Sequence, residues 1–280
     1  MSAAGLASGK GDGDENFPVA SFLIAARHRP AVLGFYRFAR TADDVADHER
    51  ASPNEKLALL ETMRASLAGE SDASPEGVRL RAILAARGLS AQHGFELLEA
   101  FRRDVTKLRY ADWNELMDYC RYSAMPVGRF MLDVHGESRS AWPASDALCA
   151  ALQIINHLQD CAKDFRALDR VYIPLDTGIV LADLARERST PALRAILTSL
   201  TRRTAALLAQ ARPFAAQIRD PRLALDVSVI QALAEDLIAK LLRRDPLCEK
   251  VHHGKLQAAA LMLPGLGRFL QSRFQPMRAA

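Results

Sequence analysis

The sequence predicts an all-α fold arranged as a single helical domain. The chain of 280 residues is 49% hydrophobic and 25% charged, values typical of a soluble globular protein, and only 6% of its residues are aromatic. Runs of β-branched residues bounded by turn signals, the mark of strands, are scarce. Apolar residues instead recur at steps of three and four, which is the period of an amphipathic helix.

Successive helices are predicted from about residue 16 onward. Their apolar stripes are Val32, Phe35, Ala39, Ala42 and Ala46; Leu57, Leu60, Met63 and Leu67; Phe95, Leu98, Phe101, Val105 and Leu108; and Leu148, Leu152, Ile155 and Leu158. The region 193–218 has the same periodicity. Proline fits the first turn of a helix, where its missing N–H has no helical partner. The prolines expected in first turns or linkers are Pro18, Pro30, Pro53, Pro75, Pro143 and Pro191.

The domain organisation follows from the connections. The stretch GESDASPEG, residues 69–77, is the most flexible internal connection predicted, and it is too short to separate two domains. No internal repeat of fixed period is found. We therefore expect one helical domain over residues 15–280 and a disordered leader over residues 1–14.

Charge and cysteine usage restrict the class of protein. The net charge of +4 fits a site for an anionic ligand or attraction to an acidic membrane surface, but is too weak to indicate nucleic acid as a partner. The four cysteines lack CxxC spacing, which favours a reduced cytoplasmic location over a disulfide framework. The N-terminus lacks the apolar core of a signal peptide, and no apolar run approaches the roughly 20 residues of a spanning helix.

The stretch RTADDVAD, residues 40–47, places Asp43 and Asp47 one helical turn apart. Like charges at this spacing cost a helix roughly 0.2–0.5 kcal/mol. Three acids within five residues therefore need either open solvent or a cation. By the same spacing rule, Tyr36 and Arg40 lie on the same helix face as the two aspartates.

A second polar stripe is predicted within residues 153–166. Its members are Gln153, Asn156, Asp160 and Asp164. An isolated DxxxD on a helix is usually a solvated face. A second DxxxD, preceded by an amide pair on the same face and flanked by apolar residues, favours a metal site, because carboxylate and amide oxygens suit hard cations. Two facing acidic stripes would hold several Mg²⁺ ions and, through them, a diphosphate.

Four blocks carry a resemblance to a known family: YRFARTADDVAD at 36–47, YCRYSAMPVG at 119–128, QIINHLQDCAKD at 153–164 and DRVYIP at 169–174. With these blocks, residues 15–270 resemble the squalene/phytoene synthase family of head-to-head prenyl transferases. The resemblance implies an isoprenoid synthase-type helical bundle with a central cavity. ENFPVAS at 15–21 and RRDVTKLRY at 102–110 are most similar to the bacterial members that act on the route to squalene and hopanoids. These members convert presqualene diphosphate and water to hydroxysqualene and diphosphate.

The resemblance implies roles for individual residues. The implied Mg²⁺ ligands are Asp43, Asp47, Asn156, Asp160 and Asp164. The implied catalytic residues are the four aspartates of this set together with Arg40 and Tyr119. The implied substrate-binding residues are Asn16, Tyr36, Arg40, Gln153, Asn156, Arg170 and Tyr172. An ordinary core tyrosine is an equal alternative for Tyr119, and His157 is expected to pack between helices rather than act as a general base.

The sequence departs from the family pattern at three places. Many relatives have Arg where this chain has Gln159, which puts one diphosphate contact in doubt. Many have Val-Ala-Gly in the stretch that reads SAMP at 123–126, which changes the floor of the pocket. Asn16 stands near the place of a family serine that binds phosphate, and its amide offers a similar hydrogen bond.

Two other functions stay open at this stage. One is a synthase that joins two prenyl diphosphates into presqualene diphosphate, dehydrosqualene or phytoene. The other is a non-catalytic assembly factor of the same fold, against which the four motif aspartates count. The apolar stretch 256–278 is interpreted first as a packed last helix and second as a peripheral contact with the inner face of the membrane. We expect the protein to act beside other enzymes of the squalene pathway.

Overall fold

The computed structural model describes residues 24–274 of the chain. Eleven α-helices occur in this part: α1 Arg29–Asp47, α2 Pro53–Ala68, α3 Pro75–Arg87, α4 Gln92–Thr106, α5 Trp113–Ser123, α6 Met125–His135, α7 Trp142–Leu168, α8 Pro191–Gln210, α9 Phe214–Gln217, α10 Pro221–Arg243 and α11 Lys255–Phe274. Short 3₁₀ segments lie at Arg139–Ala141, Leu175–Thr177 and Leu181–Ala185. Within residues 24–274 the only β contact is an isolated bridge between Arg109 and Val171. The predicted all-α class is confirmed.

Five of the eleven described helices begin where the prolines predict. The first turns of α1, α2, α3, α7 and α8 contain Pro30, Pro53, Pro75, Pro143 and Pro191. A side-chain cap precedes the proline in α2, α3 and α8, where a Ser or Thr hydroxyl accepts a backbone N–H. Pro18 and the expected leader lie outside the described residues.

The periodic region 193–218 does not form one helix. α8 ends at Gln210, and a turn that contains Pro213 separates it from the four residues of α9. A proline inside a helix removes one hydrogen bond and clashes with the preceding turn, so the apolar period continues across a break in the backbone.

Two hydrophobic cores flank the centre of the molecule. One core is formed by α1 to α4 together with Phe130 and Val134 of α6. The other is formed by residues of α5 to α10, with α7 at its centre. α7 is the longest helix at 27 residues and packs against α5, α6, α8 and α10. The side chains of α1 and α4 that do not belong to the first core therefore face side chains of α5 and α7.

The last helix packs along α10, as predicted for the stretch 256–278, of which residues 275–278 lie outside the described part. Gly265 allows the close approach, because a Cβ placed on it would lie 2.8 Å from the Cα of Val229. The opposite side of α11 exposes Leu263, Leu266 and Leu270.

Candidate active site

A cavity of about 300 Å³ lies where the two cores meet. α1 lines it with Tyr36, Arg40, Asp43 and Asp47. α7 lines it with Gln153, His157 and Asp164, and the segment after α7 adds Arg170 and Tyr172. Phe101 and Asp104 of α4 and Tyr119 and Ser123 of α5 complete the wall. This volume is at the lower end of the range for ligand pockets.

The α1 wall combines one arginine with closely spaced carboxylates. Arg40 Nη1 lies 3.2 Å from Asp43 Oδ2, and its Nη2 lies 2.8 Å from Asp44 Oδ1. Asp43 keeps 38% of its side-chain surface open to the cavity. Burial among protein groups and then the charge of Asp47 raise the pKa of Asp43 to about 7, against the opposing effect of Arg40.

Asp47, at the end of α1, is bound by an arginine from the segment that follows α7. Arg170 Nη1 donates to Asp47 Oδ1 at 2.5 Å, and its Nη2 donates to the carbonyl oxygen of Ala46 at 3.0 Å. The guanidinium is buried, but the charge of Asp47 holds its pKa above the usual value, so it stays positively charged. The segment after α7 is thereby fastened to the first acidic motif.

The carboxylate of Asp104 accepts a hydrogen bond from each of two tyrosines. The hydroxyl groups of Tyr119 and Tyr172 donate to its two carboxylate oxygens at 2.9 and 2.8 Å. Burial raises the pKa of Asp104 to about 6, although the charge of Arg170 and both hydrogen bonds oppose the shift. Burial also raises the pKa values of Tyr119 and Tyr172, so both phenols keep their protons.

His157 forms the aromatic part of the α7 wall. Its ring stacks on Tyr172 with the centroids 3.5 Å apart, and the amide nitrogen of Gln153 donates to its Nε2 at 3.1 Å. Burial lowers the pKa of His157 to about 3, so the imidazole is neutral at physiological pH. It is packed against other residues, as predicted, but one side of it faces the cavity.

The face of α7 that lines the cavity is rotated from the predicted polar stripe. Asn156 and Asp160 are not among the residues that line the cavity, whereas Gln153 and Asp164 are. A helix turns about 100° per residue. The α7 residues that line the cavity are Gln153, His157, Asp164 and Leu168, and their mean direction lies about 30° from that of Gln153. Asn156 then lies about 90° from that direction and Asp160 about 50°. Spacing alone places all four polar residues on one broad face, and tertiary packing selects the side of it that contains His157.

The two acidic motifs nevertheless influence each other. The pKa of Asp164 is raised to about 7, first by burial and then by the charge of Asp160. The charge of Asp47 on the facing helix adds a smaller effect in the same direction. Asp160 itself stays ionised: burial opposes this, but the hydrogen bond from His252 and the charge of Lys163 hold its pKa below the usual value. Carboxylates gathered from two helices around one cavity form the donor set that a hard divalent cation prefers.

Several sequence-predicted residues thus meet in one place, and one predicted residue is not described. Tyr36, Arg40, Asp43, Asp47, Tyr119, Gln153, Asp164, Arg170 and Tyr172 all line the cavity. Asn16 lies outside the described residues. Asp104 was not predicted. The pattern that could have indicated it is an acidic residue three positions after Phe101, on the otherwise apolar stripe of α4.

Another group of metal-ligand type lies at the far end of α1. Ligand atoms of His28, His135 and Asp220 lie within 4.8 Å of one another. However, Arg27 Nε donates to Nε2 of His28 at 2.9 Å, and Arg87 Nη2 lies 3.1 Å from Nδ1 of the same ring. Two guanidinium groups directed at one imidazole disfavour a cation there, so the acid-lined cavity is the better metal site.

The helical bundle and its cavity, lined by acids from two helices and by two arginines, define an isoprenoid synthase-type enzyme that acts on a small-molecule substrate. The profile of the family described as squalene/phytoene synthase matches residues 11–258. The chain belongs to this family, whose members use a divalent metal ion. In the part of the chain that the structure describes, none of the helices has the length and apolar character needed to cross a membrane.

Individual relatives match over most of the chain. The hydroxysqualene synthase of Rhodopseudomonas palustris is 57% identical over 90% of this chain and 87% of its own length. The hydroxysqualene synthase of Zymomonas mobilis is 54% identical over 93% of this chain and 90% of its own. The crystal structure of squalene synthase HpnC from Alicyclobacillus acidocaldarius is 32% identical, with a TM-score of 0.71 over 86% of this chain and 92% of that chain. A dehydrosqualene synthase solved with a ligand has a TM-score of 0.76 at 18% identity, covers 96% of both chains and shares the fold.

Proposed function

We propose that this protein converts presqualene diphosphate and water to hydroxysqualene and diphosphate in a magnesium-dependent reaction. The observation that carries the proposal is the meeting of two acidic helices and two arginines at one cavity, in a chain 57% and 54% identical to hydroxysqualene synthases. The product belongs to squalene and hopanoid biosynthesis.

The donor set of the cavity fits Mg²⁺. Asp43, Asp47 and Asp164 would hold the ions, and Asp160 lies one turn from Asp164 at the edge of the site. The raised pKa values of Asp43 and Asp164 indicate negative charge that the protein alone does not neutralise. When bound, Mg²⁺ supplies Lewis-acid stabilisation of the charge on the departing diphosphate.

The proposed chemistry needs no oxidant or reductant. The carbon–oxygen bond to the diphosphate breaks, and the electron pair leaves with the diphosphate. The cyclopropylcarbinyl cation left behind rearranges, the oxygen of one water bonds to the resulting carbocation, and the water loses a proton. Capture by hydride instead of water would give squalene and would require a reductant such as NADPH.

The protein's own residues would act at both ends of this step. Arg40 and Arg170 present guanidinium donors beside the acids, and the guanidinium fork suits phosphate oxygens. Tyr119 lines the cavity with an aromatic ring, whose electron-rich face would stabilise a cation, while the ring of Tyr172 is stacked against His157 and Tyr110. Because the imidazole of His157 is neutral, it adds no competing positive charge beside a carbocation.

Product analysis with the purified protein tests the proposal. Presqualene diphosphate and Mg²⁺ without NADPH should give hydroxysqualene, and chelation of the metal should abolish product formation. Squalene formed only with NADPH would instead assign the hydride reaction. Turnover of farnesyl or geranylgeranyl diphosphate, without turnover of presqualene diphosphate, would assign the condensing activity and overturn the proposal.

We also propose that α11 rests on the membrane surface at the inner face of the cytoplasmic membrane. Leu263 is 74% exposed, and Leu266 and Leu270 follow at steps of three and four, so the three form one apolar stripe. A lipid substrate and a lipid product would gain a short path to the bilayer. Leu263→Asp together with Leu270→Asp should reduce co-sedimentation with anionic phospholipid vesicles and leave the structure intact by circular dichroism; unchanged co-sedimentation would refute this contact.

A further inference from the structure

The connection between α10 and α11 places a histidine beside the second acidic motif. Nε2 of His252 lies 3.4 Å from Oδ1 of Asp160. Gln159, the neighbour of Asp160 on α7, donates from its amide nitrogen to Nδ1 of the same ring at 3.3 Å. An amide nitrogen only donates, so Nδ1 accepts and the ring proton is on Nε2, directed at the carboxylate.

The ring of His252 is held by Gln159, whereas the next residue, His253, pairs with a different helix. Gln159 is only 6% exposed, and its amide also donates to the carbonyl oxygen of Val251 at 3.4 Å. Nε2 of His253 lies 2.9 Å from Oδ2 of Asp236 on α10. The two neighbouring histidines thus fasten the connection to different helices, and His252 cannot leave Asp160 by a simple side-chain rotation without losing the bond from Gln159.

This arrangement explains the orientation of Asp160. Its carboxylate is held toward the α10–α11 connection rather than toward the centre of the cavity. His252 contacts Oδ1, so Oδ2 takes no part in this contact. A carboxylate that binds metal through one oxygen is commonly fixed by a hydrogen bond to the other.

We propose that His252, oriented by Gln159, is a positioning residue that holds Asp160 in place for metal binding. The inference rests on the proposed function and extends it to three residues outside the cavity wall. It also assigns a role to Gln159, whose amide supports the ring of His252. The Oε1 atom of Gln159 has no hydrogen-bond partner among the described residues. Its side chain therefore interacts through the two hydrogen bonds that its amide nitrogen donates.

Two isosteric substitutions separate this role from a structural one. In His252→Gln the side-chain nitrogen occupies the position of Nε2 and still donates to Asp160. In His252→Asn the nitrogen occupies the position of Nδ1 and does not reach Asp160. The apparent affinity for Mg²⁺ is measured as the rise in melting temperature when MgCl₂ is titrated in the presence of inorganic diphosphate. A lost support of this kind typically weakens metal binding by about 10-fold to 100-fold.

We expect His252→Asn to need about tenfold more MgCl₂ for the same rise, while His252→Gln stays near the wild type. The matched control is His253→Asn, which breaks the pair with Asp236 on the same connection and should leave the midpoint unchanged. Gln159→Met should shift the midpoint in the same direction as His252→Asn. Equal midpoints for the wild type and His252→Asn would overturn the inference while the proposed function stands. If the wild type shows no rise with MgCl₂ and diphosphate, the proposed function fails as well.

Discussion

Arg170 joins the segment after the second acidic motif to Asp47 of the first, with Nη1 donating to Oδ1 at 2.5 Å. Its other two donors reach the carbonyl oxygens of Ala46 and Asp104 at 3.0 and 2.9 Å. One buried guanidinium therefore holds α1, α4 and the segment after α7 together. Because its donors point in fixed directions, an ammonium group does not reproduce the three bonds.

Arg170→Lys keeps the charge and should still be damaging. Loss of hydrogen bonds to charged groups is worth about 1.5–3 kcal/mol each, so we expect the free energy of unfolding in urea to fall by at least that amount. Misplacement of Asp47 should lower kcat/KM on the order of tenfold to 100-fold. Arg186→Lys, in an exposed pair with Asp183, is the control and should change stability by less than about 0.5 kcal/mol. Equal effects of the two substitutions would contradict this role of Arg170.

Asp104 should make stability depend on pH. Its pKa is raised to about 6 in the folded protein, so the folded state binds its proton more tightly than the unfolded state. The resulting stabilisation is fully present below about pH 4 and is lost as the pH rises through 6, by about 3 kcal/mol at most. Relative to Asp104→Asn, the wild type should therefore lose free energy of unfolding between pH 4 and pH 7. A difference between the two proteins that stays constant over this range would refute the assignment.

Two glycines on α11 should respond in opposite directions to alanine. A Cβ on Gly265 would lie 2.8 Å from the backbone of Val229, so Gly265→Ala should separate α11 from α10 and lower stability by about 1–3 kcal/mol. Gly267 has no such neighbour within 4 Å, so Gly267→Ala should gain about 0.5–1 kcal/mol of helix propensity. Urea unfolding of both variants measures this, and a stabilising Gly265→Ala would show that the packing is looser.

The sequence predicts the helices and one wall of the site well for a physical reason. Apolar periodicity and first-turn prolines are local signals, and they mark α1, α2, α3, α7 and α8 correctly. On α1 the stripe from Tyr36 to Asp47 has a strongly apolar opposite side, so only one face is free to line the cavity.

The α7 wall could not be predicted to the same level from spacing. The polar face of α7 from Asn156 to His157 spans about 100° around the helix, and packing against the neighbouring helices selects the part of it that faces the cavity. The spacing groups Asn156 and Asp160 with Gln153 and Asp164, whereas the cavity is lined by Gln153, His157 and Asp164. The support of Asp160 by His252 involves residues 92 positions apart, which no local pattern brings together.

Asp164→Asn should remove activity and yet stabilise the metal-free protein. Asp164 is a half-buried acid beside other acids, and without a cation its charge is unfavourable. We expect kcat/KM to fall by at least about 100-fold, because metal-ion stabilisation of a departing group is worth several kcal/mol. Without Mg²⁺ the melting temperature at pH 8 should rise by about 2–4 °C for each kcal/mol of repulsion relieved. Asp72→Asn, in an exposed pair with Arg81, should change neither quantity; a metal-free Asp164→Asn that melts below the wild type would refute the repulsion between the two acidic helices.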